Sequence, residues 1–286
     1  MRLPLTSLLL ILGVASAVAI AIDLPAHYRQ GLDGWRMGTE RATLRARYKQ
    51  GLPLAGTPDL TKLKERLASA KASLGAPVLV RIFKRESELE LWLKTGDRFK
   101  LFATYPICRW AGELGPKISR GDRQAPEGFY TVAKHQLNPA SRWHRSFNIG
   151  YPNLLDRQHG RTGDYIMVHG GCSSAGCFAV TNEVVDEIWR IVTAALGKGQ
   201  KRFQVQSFPF RMTEANLALY EGHRWQAFWQ DLKAGYDLFE RTGVPPAVGV
   251  CDGRYTFAAG KAGGDGSAAI EKGCMSTVAS AAQGQG

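Results

Sequence analysis

Hydrophobic positions change their spacing several times along this chain, and each change predicts a different kind of element. From Leu3 to Ile22 the residues are uncharged and mostly apolar, with no polar face. Residues 23 to about 56 are polar and basic with scattered Gly and Pro. They lack a sustained period, which predicts a tether with local helix from Thr39 to Gln50. Thr57-Pro58-Asp59 then opens a helical pattern, with Leu60, Leu63, Leu67 and Ala70 at three- and four-residue spacing and Gly75 and Pro77 closing it. Strand patterns follow at Val78 to Phe83, Glu88 to Leu93 and Phe99 to Tyr105, with a turn at Thr95-Gly96-Asp97, as in an antiparallel meander. A loop rich in Gly, Pro and charge runs from Ala111 to Gly128. Further strands are predicted at Phe129 to Lys134, Phe147 to Tyr151 and Tyr165 to His169, the last two divided by the polar segment Asp156 to Asp164.

Beyond residue 177 the period lengthens. Thr181 caps a helix whose apolar face is Val184, Val185, Ile188, Trp189, Val192 and Leu196, and Gly197 ends it. Phe203 to Ser207 is a strand, and Thr213 to about Arg241 reads as an aromatic-rich helix that docks on a core. From Ala258 onward Gly, Ala and Ser dominate, which predicts a disordered tail. The fold class is α+β: a mostly β core with flanking helices and a helical C-terminal extension. The expected divisions are 1–22, 23–75 (tether and helix), 76–209 (core), 210–257 (helical extension) and 258–286 (tail).

Charge and composition narrow the setting. Hydrophobic residues make up 44% and charged residues 22%, so the chain is not wholly disordered. The net charge of +12 favours polyanionic surroundings: nucleic acid, acidic lipid or a wall polymer. The N-terminus selects among these. A lone Arg2 before the apolar run, with Ala15-Ser16-Ala17 and Ala19-Ile20-Ala21 near its end, has the layout of an export signal, and the run is also long enough for an uncleaved membrane anchor. Both readings place the remaining chain in the periplasm or cell envelope. They argue against a nucleic-acid partner and leave membrane association through the N-terminus open. Five cysteines, Cys108, Cys172, Cys177, Cys251 and Cys274, leave an odd thiol in such a compartment.

The chemistry concentrates in Val168-His169-Gly170-Gly171-Cys172-Ser173-Ser174-Ala175-Gly176-Cys177-Phe178-Ala179. A histidine ends a buried strand, a small-residue turn follows, and a cysteine precedes a helix. A thiol attacks a carbonyl only with thiolate character, which an imidazole or a helix N-terminus supplies. The small residues let a substrate approach, and the amides of Gly176 and Cys177 are candidates for holding an oxyanion. Two accounts compete. His169, Cys172 and Cys177 form a partial zinc set, but no fourth ligand has suitable spacing. A Cys172–Cys177 disulfide, permitted in an oxidising compartment, would leave His169 structural. Among the other histidines, His135, His144, His159 and His223 are read as structural or surface residues, and Asp156 and Asp164 as turn formers.

His169-Gly170-Gly171 followed by Ser174-x-Gly176-Cys177-Phe178-Ala179 resembles the catalytic signature of the L,D-transpeptidase (YkuD-type) family, in the compact form of its YafK-like branch. Leu114 to Lys117, Gly121 to Tyr130 and Phe147 to Asn153 resemble further segments of that family, in the same order, so the likeness covers about residues 76 to 209. The resemblance implies a β-rich, metal-free and cofactor-free enzyme in which a peptidoglycan stem peptide acylates Cys177. His169 then matches the general acid/base, Gly176 with the Cys177 amide the oxyanion site, and Ser174 a supporting hydrogen bonder. The acyl group passes to an amine, or to water. The YafK-like branch is associated with release of proteins attached to peptidoglycan, which makes a wall-attached lipoprotein a candidate partner. Ala175 stands where many members carry a second histidine and Ala125 where threonine is usual, so His169 is the sole imidazole of the motif. Lys117, Arg120 and Arg123 are candidate contacts for stem-peptide carboxylates, against the plainer reading of a solvated basic loop. The rival of another class is a non-catalytic wall-binding module with structural cysteines.

Overall fold

The computed structural model describes residues 25–275. The export-signal or anchor segment, residues 1–22, and the end of the predicted tail lie outside the described residues. Two five-stranded sheets form the body. The first has the order β3-β2-β1-β10-β5, from strands β1 (Val78–Phe83), β2 (Glu88–Thr95), β3 (Arg98–Pro106), β5 (Gly128–Ala133) and β10 (Arg202–Phe208). Its β1–β2–β3 part is the expected meander, and β10 joins β1 in parallel. The second has the order β4-β9-β8-β7-β6, from β4 (Arg109–Trp110), β6 (Leu137–Ser141), β7 (His144–Asn148), β8 (Met167–His169) and β9 (Phe178–Ala179). Phe147 of β7 meets Phe203 of β10 edge to face with ring centroids 5.5 Å apart, so the two sheets share one core.

The helices brace this body. The helix capped by Thr181, α4 (Asn182–Gly197), buries Val184, Val185, Ile188 and Val192. The Thr181 hydroxyl accepts from the Val184 amide at 3.3 Å, satisfying one of the free donors of the first turn. The pattern opened at Thr57 is shorter than expected. Asp59 supplies the cap, a 3₁₀ turn covers Leu60–Lys62, and α2 is only Leu63–Ser69. The polar segment after Pro152 holds α3 (Leu154–Gln158), capped reciprocally by Asn153 and Asp156.

Four expectations are corrected. The tether is a long helix, α1 (Ala26–Lys49), whose inner face is pinned by tertiary contacts rather than by an apolar stripe. Asp33 pairs with Arg85 and accepts from the Tyr220 hydroxyl, Met37 enters the core, and Arg41 lies over the Trp110 ring at 4.1 Å. The aromatic helix breaks into α5 (Glu214–Leu219) and α6 (Gln226–Thr242). Between them Gly222 takes a left-handed φ of 73°, a conformation open to glycine at no steric cost. The C-terminal extension is also not all helix. Strands β11 (Ala247–Cys251) and β12 (Arg254–Ala258) form a hairpin, and the segment after Ala258, expected to be disordered, returns to pair β13 (Glu271–Lys272) beside β11. The Cys251–Cys274 disulfide and a hydrogen bond from Gln200 to the Asp265 carbonyl (2.7 Å) hold that segment. Composition does not reveal such a constraint on the chain.

A fully buried ion pair ties this framework to the loop beside the site. Lys84 Nζ reaches Glu127 Oε1 at 2.9 Å and the carbonyls of Gly115 and Ala125 at 2.9 and 3.0 Å, so each ammonium hydrogen has an acceptor. Glu127 also accepts from the Gly115 amide and from the Trp229 indole, which links loop 111–128 to α6.

Candidate active site

The site grows out of the alternation along β7 and β8. Phe147 pairs with Val168 and both point into the core, so their strand neighbours Ser146, Met167 and His169 take the opposite face. Across the sheet Ser146 stands opposite His169, and Asn138 opposite Ser146. β9 runs parallel to β8 with Val168 beside Phe178 and His169 beside Ala179, which sets Cys177 alongside Met167. Cys177 and His169 are therefore diagonal neighbours on one sheet face. That face floors a cleft of about 510 Å³, lined by both residues together with Ser174, Gly176, Ser146, Asn138 and the loop residues discussed below.

Cys177 is the free cysteine among the described residues. Cys172 is bonded to Cys108, which overturns the Cys172–Cys177 disulfide and removes Cys172 from a zinc set. The pairing follows from the fold: Cys108 follows β3, and Cys172 lies in the turn after β8. The buried bridge packs with Leu54 against Leu44 and Tyr48 of the α1 region. It thus ties the turn between His169 and Cys177 to the body.

Local bonds define the protonation states. His169 Nδ1 lies 2.6 Å from the Gly170 carbonyl. That oxygen only accepts, so Nδ1 carries the hydrogen and Nε2 is left to take a proton. Burial lowers the His169 pKa, the Gly170 carbonyl works against that shift, and Arg142 adds to it. Cys177 moves the other way. Burial raises its pKa, against the Met167 amide, which donates to Sγ at 3.4 Å, and the charge of Lys117. Sγ also lies 3.7 Å from the Tyr165 carbonyl, an acceptor for the thiol proton. Both shifts act in the same sense, each favouring the neutral form of its group. In sequence, β9 lies between Cys177 and α4.

The turn before Cys177 divides the expected oxyanion donors. Ser174 Oγ donates to the Cys177 carbonyl at 2.6 Å and accepts from the Gly176 amide at 3.0 Å. Gly176 N–H is thus engaged within the turn, whereas the Cys177 amide has no partner among the described residues. Gly176 holds a φ of 150°, a conformation suited to glycine, and it places that amide beside the cleft.

The basic loop is partly as expected. Lys117 lines the cleft, with Nζ held by the Ser119 carbonyl at 2.8 Å and by Asp122. Arg123 does not line it and is exposed at a left-handed φ of 52°. Arg120, paired with Asp164 at 3.0 Å, and Arg142 line the cleft instead. Sequence reading missed Arg142, Trp143 and Ser146. Trp143 stacks on the His169 ring at 5.9 Å from the tip of the β6–β7 hairpin, and His144 and Arg145 fasten that tip to Asp186 of α4 at 2.9 Å. Ser146 is 1% exposed and its hydroxyl has no partner among the described residues. Ser146 reaches the site through the β7–β8 register and Arg142 and Trp143 through the hairpin tip, neither of which a local sequence pattern encodes.

The L,D-transpeptidase catalytic domain (YkuD) matches residues 81–218, from β1 into α5. The chain belongs to this family. It is 47% identical over 199 residues to the "Putative L,D-transpeptidase YafK" of Escherichia coli (strain K12), covering 70% of this chain and 78% of that protein, with the same figures for strain O157:H7. Among solved structures, the helical cell shape determining protein Pgp2 (K307A mutant) from Campylobacter jejuni aligns at 19% identity and TM-score 0.39, over 65% of this chain and 66% of that one. Bd1075 of Bdellovibrio bacteriovorus aligns at 16% identity and TM-score 0.35, over 60% and 76%.

Proposed function

We propose that this protein is a cysteine-dependent L,D-transpeptidase-type acyltransferase of the cell envelope, acting on peptidoglycan stem peptides. The observation that carries the reading is the free thiol of Cys177 beside His169 on one sheet face, at the floor of an open cleft with a basic rim. In the acylation step His169 Nε2 takes the Cys177 proton as Sγ attacks an amide carbonyl of the stem peptide. The Cys177 amide donates to the developing oxyanion. The carbon–nitrogen bond then breaks and the imidazolium returns its proton to the leaving amine, which leaves a thioester. In the second step an acceptor amine loses a proton to His169 and attacks the thioester, expelling the Cys177 thiolate. Water as acceptor gives hydrolysis through the same intermediate. Lys117, Arg120 and Arg142 supply positive charge for stem-peptide carboxylates. This role places the folded chain outside the cytoplasm, in keeping with the apolar run at Leu3 to Ile22.

The test is incubation of the full chain with protein-linked and protein-free sacculi, followed by muropeptide mass analysis. New L,D-crosslinks in the products are expected. Release of protein without crosslinks would assign water as the acceptor. Cys177→Ala is expected to abolish every product, and a variant as active as the parent refutes the thiol mechanism.

A further inference from the structure

The inner face of α1 is fully occupied by the domain, but its outer face is not. Asp33, Met37, Arg41, Leu44 and Tyr48 point inward. On the opposite side Tyr28, Leu32 and Trp35 recur at four- and three-residue spacing, forming one stripe along the first three turns. They are 58%, 58% and 73% exposed, and Trp35 is the most exposed large apolar side chain among the described residues. The stripe stops there. The next positions on the same side are Thr39, Ala42, Thr43 and Ala46, which are small.

We infer that the first three turns of α1 form a membrane-surface contact, with Tyr28, Leu32 and Trp35 seated at the headgroup–acyl boundary of an anionic bilayer. Three observations select lipid as the occupant. The apolar run Leu3 to Ile22 ends three residues before Pro25, at the apolar end of the stripe, so the chain that precedes α1 brings this end to wherever that run is delivered. Trp and Tyr are the side chains that prefer the bilayer interface, and they bracket the stripe. Arg29 and Arg36 flank it on one side, as cations flank the apolar face of an interfacial helix, and the whole chain carries net charge +12. No helix among the described residues is long and apolar enough to cross a membrane, so α1 lies on the surface. Because α1 also packs on the Cys108–Cys172 bridge, the contact would fix the cleft at a set height and tilt above the bilayer. The inference does not rest on the acyl-transfer reading.

Tryptophan emission tests it, since residues 1–22 contain no tryptophan and any signal comes from the folded part. The full chain is reconstituted in phosphatidylethanolamine–phosphatidylglycerol vesicles whose acyl chains are brominated near the headgroup. The parent should show a quenched component that is lost in Trp35→Phe, and Tyr28→Ser/Leu32→Ser should lose most of it while alkylation of Cys177 proceeds at the parent rate. Equal quenching in the parent and Trp35→Phe overturns the proposal. So does an unquenched Trp35 with self-association that disappears in Trp35→Ser, because the stripe would then belong to a second copy.

Discussion

The two faces of the β4-β9-β8-β7-β6 sheet are made by the same strands and do opposite work. On the inner face Phe147, Val168 and Phe178 are fully buried against the first sheet, and their value lies in the water they exclude. On the outer face Ser146, Met167, His169 and Cys177 line a cleft, and their value lies in bonds left unmade. Nε2 of His169 is the nitrogen free to accept a proton, and among the described residues neither the Cys177 amide nor the buried Ser146 hydroxyl has a hydrogen-bond partner. A polar group left unsatisfied costs about 1–3 kcal/mol, a cost the inner face never incurs. The apolar face therefore stabilises the geometry that the polar face uses.

Breaking the inner face should give the largest stability effect. Phe147→Ala removes a ring that packs on Phe203 and opens a cavity. A loss of about 3–5 kcal/mol is expected from chemical denaturation. Activity should fall only in proportion to the folded fraction. Cys177→Ala is the converse, with activity lost and the denaturation midpoint close to that of the parent. If both variants lose stability equally, the division of labour fails.

A smaller effect sharpens the polar side. In the proposed mechanism His169 must be neutral to accept the thiol proton, and burial lowers its pKa, so activity should persist below the ordinary histidine range before the acid limb falls. Trp143 covers the ring, and Trp143→Ala should let water in and return the pKa toward its ordinary value. The acid limb of kcat/KM against pH then moves upward, by less than about one pH unit. A downward shift or none would mean that Trp143 does not shield the imidazole. The alkaline side has its own sign: because burial raises the Cys177 pKa, its alkylation rate should rise with pH through a midpoint above the ordinary thiol value.

The same contrast explains what could be read from sequence. The inner face announces itself locally: Val78 to Phe83 is a nearly continuous apolar run and is the whole of β1, and the Thr181 cap stands one residue before α4. His169 and Cys177 stand together in one compact sequence motif, and the structure sets both in the cleft. Ser146, Trp143 and Arg142 were not legible in the sequence, since they join the site only through strand register and a hairpin tip. α1 was hidden for a related reason. Gly31, Gly34 and Gly38 weaken its helical propensity by about 1 kcal/mol each. Its inner face relies on Asp33 and Arg41, whose partners are distant in sequence. Arg123 was misplaced because neighbours in a loop need not face the same way; its backbone turns left-handed and Arg120 lines the cleft instead.

The smallest effect tests whether Ser146 belongs to the catalytic side or to the packing. A packing residue loses stability on truncation. Ser146 buries a hydroxyl with no partner directly across from His169. Ser146→Ala should therefore leave stability unchanged or raise it by up to about 1 kcal/mol. If the hydroxyl hydrogen-bonds a substrate bound in the cleft it lines, turnover on muropeptides should nonetheless fall, by about tenfold at most, the worth of one such bond. Opposite signs for stability and turnover in this one variant would place Ser146 with the polar face. A loss of stability with unchanged turnover would assign it to packing, and the boundary between the two faces would then run between Ser146 and His169.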